Sequence, residues 1–136
     1  MLKLIDANVF IYARGQPHPY RDPCRRLLAD VRAGRQTANT DTEALQEVMY
    51  VYWYRRREDV GLRYLDRLLR LFQAPFSVDH AIMLGARLVL GTHPRLDPRD
   101  AIHASVVMQH GLEGIISTDR GYDDVAGVTR FDPKDL

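Results

Sequence analysis

Asp97-Pro98-Arg99-Asp100-Ala101-Ile102-His103-Ala104-Ser105-Val106-Val107-Met108, followed by Ile115-Ile116-Ser117-Thr118-Asp119, organises the rest of the chain. Asp97 can cap a helix whose first turn carries Pro98, where the missing N–H has no helical partner to lose. From Ala101 to Met108 that helix is apolar on nearly every face, which predicts burial. Ile115–Thr118 then reads as a strand, with Asp119 at its end. At the other end of the chain, Leu2–Ile5 is a short strand ended by Asp6-Ala7-Asn8, with Val9–Arg14 helical after it. Gly15–Pro19 is a loop by its Gly and Pro content. Asp22–Ala33 is an amphipathic helix that turns Leu27, Leu28 and Val31 inward and stops at Gly34. Gln36–Asn39 is a second strand. Thr40 and Glu43 have the spacing of a capping box, which predicts a helix running to about Arg56. Glu58–Leu71 is another helix, Pro75–Val78 a strand, and Asp79–Leu90 a helix that exits through Gly91–Pro94. Val128–Phe131 is the last strand. This alternation predicts an α/β fold, a parallel sheet between helices.

The 136 residues suffice for one domain, 1–136, with a core that needs neither disulfide nor structural metal. Lys and Arg number 19 against 18 Asp and Glu, so any nucleic-acid surface must be a local patch. Cys24 is the one cysteine. It excludes an intramolecular disulfide and a Cys/His zinc motif, and it fits a reducing compartment. Asp6 and Asn8 interrupt the apolar N-terminus before a signal-peptide core can form. No uncharged stretch approaches the roughly 18 residues of a membrane span. The expectation is a cytoplasmic protein with no membrane segment.

Four acids need explaining. In open parallel sheets ligands bind beyond the carboxyl ends of strands, and Asp6 and Asp119 both fall there. If their strands are neighbours, both carboxylates enter one crevice; alternatively, each caps the helix after it. Asp100 lies in the first turn of a helix that otherwise buries its length. A buried carboxylate is costly unless paired, hydrogen-bonded or metal-bound, although the helix dipole also favours an acid there. Glu47 sits at the margin of a stripe formed by Ala44, Leu45, Val48, Val51 and Tyr52, either at the rim of a cleft or solvated. Together these acids would repel one another without a cation. An all-oxygen set suits Mg²⁺ or Mn²⁺, whose chemistry is phosphodiester hydrolysis.

The motifs resemble those of PIN-domain ribonucleases. Leu4-Ile5-Asp6-Ala7-Asn8-Val9-Phe10-Ile11 is similar to the opening of that family. Leu45-Gln46-Glu47-Val48 resembles its helical glutamate segment, and Asp100-Ala101-Ile102-His103-Ala104 its buried-helix aspartate motif. Ser117-Thr118-Asp119 with Gly121-Tyr122 resembles the strand-end aspartate and its trailing aromatic. The four occur in family order across nearly the whole chain. Its size most resembles the VapC-type toxins of toxin–antitoxin pairs. The resemblance implies a parallel sheet of order 3-2-1-4-5 flanked by helices, and Mg²⁺- or Mn²⁺-dependent endoribonuclease activity. It also implies a homodimer and a small antitoxin partner. Asp6, Glu47, Asp100 and Asp119 would form the catalytic cluster, with Asp6, Asp100 and Asp119 on the metal and Asn8 and Thr118 in support. Asn39-Thr40-Asp41-Thr42 is a looser match, leaving Glu43 as a substitute for Glu47. Asp123 or Asp124 can supplement or replace Asp119.

Arg99 and Arg120 adjoin Asp100 and Asp119, either to reach an RNA backbone or to neutralise the acids. Arg55-Arg56-Arg57 suits a helix C-terminus or a phosphate contact. Tyr50, Trp53 and Tyr54 are candidates for a protein interface, while Val51 and Tyr52 read as core. His103, one turn after Asp100, reads as a satisfied buried histidine in preference to a general base or ligand. Three competing readings are a DNA flap nuclease, an inactive PIN scaffold that binds RNA or protein, and a receiver-type phosphoacceptor. The chain looks too short for the helical arch of the first. It lacks the acidic pair and lysine of the last.

Overall fold

Lys3–Ile5 (β1) is the spine of the molecule, in a computed structural model that describes residues 1–136. It pairs in parallel with Ala38–Asn39 (β2) on one side and Gly114–Ile116 (β3) on the other. Arg130–Phe131 (β4) adds in parallel to β3, giving the order β2-β1-β3-β4. The helices are Ala7–Ala13 (α1), Arg21–Arg32 (α2), Thr42–Tyr54 (α3), Glu58–Leu71 (α4), His80–Thr92 (α5) and Pro98–Gln109 (α6). None is long and apolar enough to cross a membrane.

Two expectations are corrected. The strand expected at Pro75–Val78 is only an isolated parallel bridge between Phe76 and Asp41. Phe76 exchanges backbone hydrogen bonds with Thr40 and Thr42 and then the chain turns away, so the sheet has four strands and not the five of order 3-2-1-4-5. The second concerns the start of α3. Asp41 is its N-cap, accepting from the Ala44 N–H at 2.9 Å, and the helix begins at Thr42. Thr40 is unavailable as a cap because its hydroxyl donates to the Ile5 carbonyl at 2.9 Å, tying β2 to β1.

Alternation along the strands divides the core. Ile5 and Ile116 face one side, with Phe10, Val48, Tyr52 and Phe72. Leu4 and Ile115 face the other, with Ile82, Val106, Val107 and Tyr122. This second layer buries α6 as its apolar sequence predicts. Tyr52 is core as expected, and Tyr50, Trp53 and Tyr54 are exposed.

Gly61 sets the approach of α4 to α3. A Cβ there would stand 2.5 Å from the Tyr52 Cβ. Gly61→Ala is therefore expected to lower stability by roughly 1–3 kcal/mol through overpacking, measured by urea unfolding. An unchanged midpoint would mean the two helices can separate freely.

Candidate active site

The strand ends bring the acids together. Ile5 and Ile116 are in register on neighbouring parallel strands, so Asp6 and Ser117 meet at the carboxyl edge of the sheet. Asp6 occupies the N-cap position of α1, yet its side chain makes no cap hydrogen bond. Instead its Oδ2 accepts from Ser117 Oγ at 2.8 Å, Tyr122 OH at 3.1 Å and Asn8 Nδ2 at 3.2 Å. The capping alternative for Asp6 is thus excluded by its bonding. Asn8 also accepts from the Thr118 N–H at 3.3 Å, so the first and third strand ends are stitched together around one carboxylate.

Asp100 joins from α6. Asp97 takes the capping role there, accepting from the Arg99 N–H at 2.8 Å. This leaves Asp100 free to turn towards the sheet, where it accepts from Tyr122 OH at 2.9 Å. The single phenolic proton is shared between these two acceptors, so one buried hydroxyl bridges Asp6 and Asp100. Asp119 stands beside Asp100, close enough for a hydrogen bond between the carboxyl groups. It keeps its capping role as well, accepting from the Gly121 N–H at 2.8 Å.

Glu47 approaches from α3. One of its oxygens lies within 4.8 Å of an Asp6 oxygen and of a ring nitrogen of His103. Glu43, one turn earlier, is not part of that group. Arg99 pairs with Glu47 at 2.9 Å and with Asp97 at 3.2 Å, which is the neutralising role of the two considered for it. Arg120 is exposed and forms no ion pair. Asp123 pairs with Arg130 at 2.9 Å on the surface, and Asp124 is exposed with its carbonyl facing His93.

The electrostatics follow from this crowding. Burial, then the negative charge of Asp6 and the proximity of Asp119, push the Asp100 carboxyl up to about 7, against the Tyr122 hydrogen bond. Burial raises Glu47 too; Arg99 opposes the shift and Asp6 adds to it. Burial and the two aspartates together raise the Tyr122 phenol well above its usual range. Carboxylates gathered at such a cost to their charged forms are a natural seat for a cation.

Two buried residues were not legible as site residues. Asp41 and His103, 62 positions apart, meet at 2.6 Å between Oδ2 and Nδ1. His103 is buried as expected but only half satisfied, because its Nε2 has no hydrogen-bond partner. Burial opposes charge on the ring, and the carboxylates of Asp41, Asp6 and Asp100 outweigh it, raising His103 to about 9.

The profile of the PIN domain family matches residues 3–128. The chain belongs to the PIN-domain family. It is 32% identical over 134 residues to Ribonuclease VapC7 of Mycobacterium tuberculosis, covering 96% of this chain and 90% of that protein. The fold is like that of VapBC2 from Rickettsia felis, solved bound to a DNA fragment from their promoter: TM-score 0.71, 14% identity, covering 97% and 100% of the two chains. It is also like a toxin–antitoxin complex from Klebsiella pneumoniae, with TM-score 0.67, 18% identity and coverage of 98% and 99%. At these identities the structural likeness speaks to the fold alone.

Proposed function

We propose that this PIN domain is a metal-dependent endoribonuclease, hydrolysing RNA phosphodiester bonds as the toxin of a type II toxin–antitoxin pair. The observation that carries the reading is the convergence of Asp6, Asp100 and Asp119 at the carboxyl edge of β1 and β3, with Glu47 facing them from α3. The 32% identity to a protein named as a ribonuclease supports RNA as substrate.

Asp6, Asp100 and Asp119 would hold Mg²⁺ or Mn²⁺. The buried, mutually repelling carboxylates, and the Nε2 of His103 that has no hydrogen-bond partner, are a donor set that fits a divalent cation. Such an ion supplies an activated water and a Lewis acid for charge developing on the phosphoryl group. The chain's own groups do the positioning. Ser117, Asn8 and Tyr122 hold Asp6 in one orientation, and Tyr122 fixes the distance from Asp6 to Asp100. Thr118 places its N–H on Asn8 and so supports that arrangement. Glu47 sits across the crevice, kept partly compensated by Arg99. Arg120, exposed beside Asp119, is placed to meet an RNA phosphate.

The exposed aromatic face of α3, with Tyr50 at 47%, Trp53 at 60% and Tyr54 at 72% exposure, suits a protein interface. We assign it to the homodimer or to the small antitoxin, in a cytoplasmic pair. The test is cleavage of matched single-stranded RNA and DNA, and of a DNA flap, with Mn²⁺ and with EDTA. RNA cut only with metal is the expected result. Preferred cutting of the flap would reassign the substrate, and no cutting with no Mn²⁺ uptake would leave a binding scaffold.

A further inference from the structure

Beneath the acid cluster lie two fully buried polar residues, Asp41 and His103. Asp41 serves two elements at once. Its Oδ1 accepts from the Ala44 N–H at the start of α3, and its Oδ2 holds His103 Nδ1 at 2.6 Å. This fixes the imidazole plane and aims the other ring nitrogen. Nε2 faces Asp6 Oδ1 at 3.6 Å, beyond hydrogen-bonding distance, and has no other partner. A ring nitrogen of His103, an Asp6 oxygen and a Glu47 oxygen all lie within 4.8 Å of one another, and the nitrogen that Asp41 leaves open is Nε2.

Nε2 has the Asp6 carboxylate at ion-pair distance but no hydrogen-bond partner, and a buried ring nitrogen left without one is costly. The orphaned atom points at two carboxylates, one of which is the best-supported acid of the site. We infer that His103 Nε2 is a nitrogen ligand of the divalent-cation site, joining Asp6 and Glu47, and that Asp41 is its orienting acceptor. Metal-bound histidines characteristically give their other N–H to a carboxylate, which fixes tautomer and ring plane. Asp41 has that relation to His103.

The spacing suits the role. Atoms that share an ion at about 2.0–2.2 Å stand within roughly 4.4 Å of each other, and the Asp6–His103 separation meets this. Glu47 has a second oxygen besides the Oε1 held by Arg99, so it can serve both. The ring binds as neutral imidazole, its Nε2 proton going to solvent. The consequence is a preference among ions. Oxygen ligands alone accept Mg²⁺ readily, whereas one imidazole shifts the site towards Mn²⁺ and later first-row divalent ions.

This inference rests on the metal-dependent reading above and adds to it two ligands, His103 and Glu47, and an ion preference. The experiment is titration of the full chain with Mn²⁺ alone, with the bound ion examined by pulsed electron paramagnetic resonance. A ¹⁴N coupling from one directly bound imidazole is expected. His103→Gln should remove that coupling, weaken Mn²⁺ binding about ten-fold or more, and narrow the preference for Mn²⁺ over Mg²⁺. Asp41→Asn keeps an acceptor for the Ala44 N–H, and should retain the coupling with binding weakened roughly ten-fold. If His103→Gln does not fold, the wild-type spectrum and the Asp41→Asn titration decide. Bound Mn²⁺ without ¹⁴N coupling, or coupling that survives His103→Gln, overturns the inference and leaves an oxygen-ligated site standing. No Mn²⁺ binding at all overturns the metal-dependent reading itself.

Discussion

Asp6→Asn lowers RNA cleavage on the order of 10³-fold and leaves the fold intact. Both halves of that expectation come from the same three hydrogen bonds. Ser117, Tyr122 and Asn8 all donate to one oxygen, Oδ2. An asparagine can present its carbonyl oxygen to the same three donors, so the stitching of β1 to β3 survives. What disappears is the charge at the centre of the cluster, and with it a cation ligand that no neighbour replaces. The measurement is cleavage beside a thermal melt of the same preparation. Retained cleavage would remove Asp6 from the site; a collapsed melt would make it a structural residue.

The second large effect is on stability without metal. Asp100 stands at about 7 in the folded chain, against about 3.9 for an unperturbed aspartate. Between those values the folded chain keeps a proton that the unfolded chain has released. Stability therefore falls as pH rises from about 4 to about 7, and the penalty is complete above that window. Asp100→Asn removes this contribution while keeping an acceptor for Tyr122. Without metal the variant is expected to melt above the wild type at pH 8, with the gap closing towards pH 4. His103 is raised in part by the Asp100 charge, so its own stabilisation, full below about 6.5 and lost as pH rises through about 9, also differs between the two proteins at high pH. Between pH 4 and about 6.5, where His103 is charged in both, the difference reports Asp100. Added Mn²⁺ should raise the wild-type melting temperature more than the variant's. A variant that melts below the wild type at pH 8 would mean that Asp100 is not under electrostatic strain.

Residues whose partners are set by strand ends were readable from sequence. Asp6, Asp100 and Asp119 each follow or open an element with a clear hydrophobic pattern, so their common edge could be foreseen once β1 and β3 were neighbours. Glu47 lay at a stripe margin, a weaker signal that could not distinguish cleft from solvent. Asp41 was hidden by a genuine ambiguity. Thr40 and Asp41 are both good caps, and only the bond from Thr40 to Ile5, 35 residues away, decides between them. The Asp41–His103 pair spans 62 positions and leaves no local trace. Asp123 looked equivalent to Asp119 by type and nearness, until Arg130 is seen to take it. The strand at 75–78 reads as extended by composition, but only Phe76 finds a partner because the pairing edge beside it is so short.

The central claim is that these acids make one metal-dependent centre that cuts RNA. Its most direct test is cleavage of labelled total RNA in Mn²⁺ or Mg²⁺ by wild type and by Asp100→Asn, purified identically, with EDTA as control. Discrete cleavage by the wild type that vanishes with EDTA and with the substitution is the expected result. Equal cleavage by both proteins, or cleavage that persists in EDTA, would contradict it.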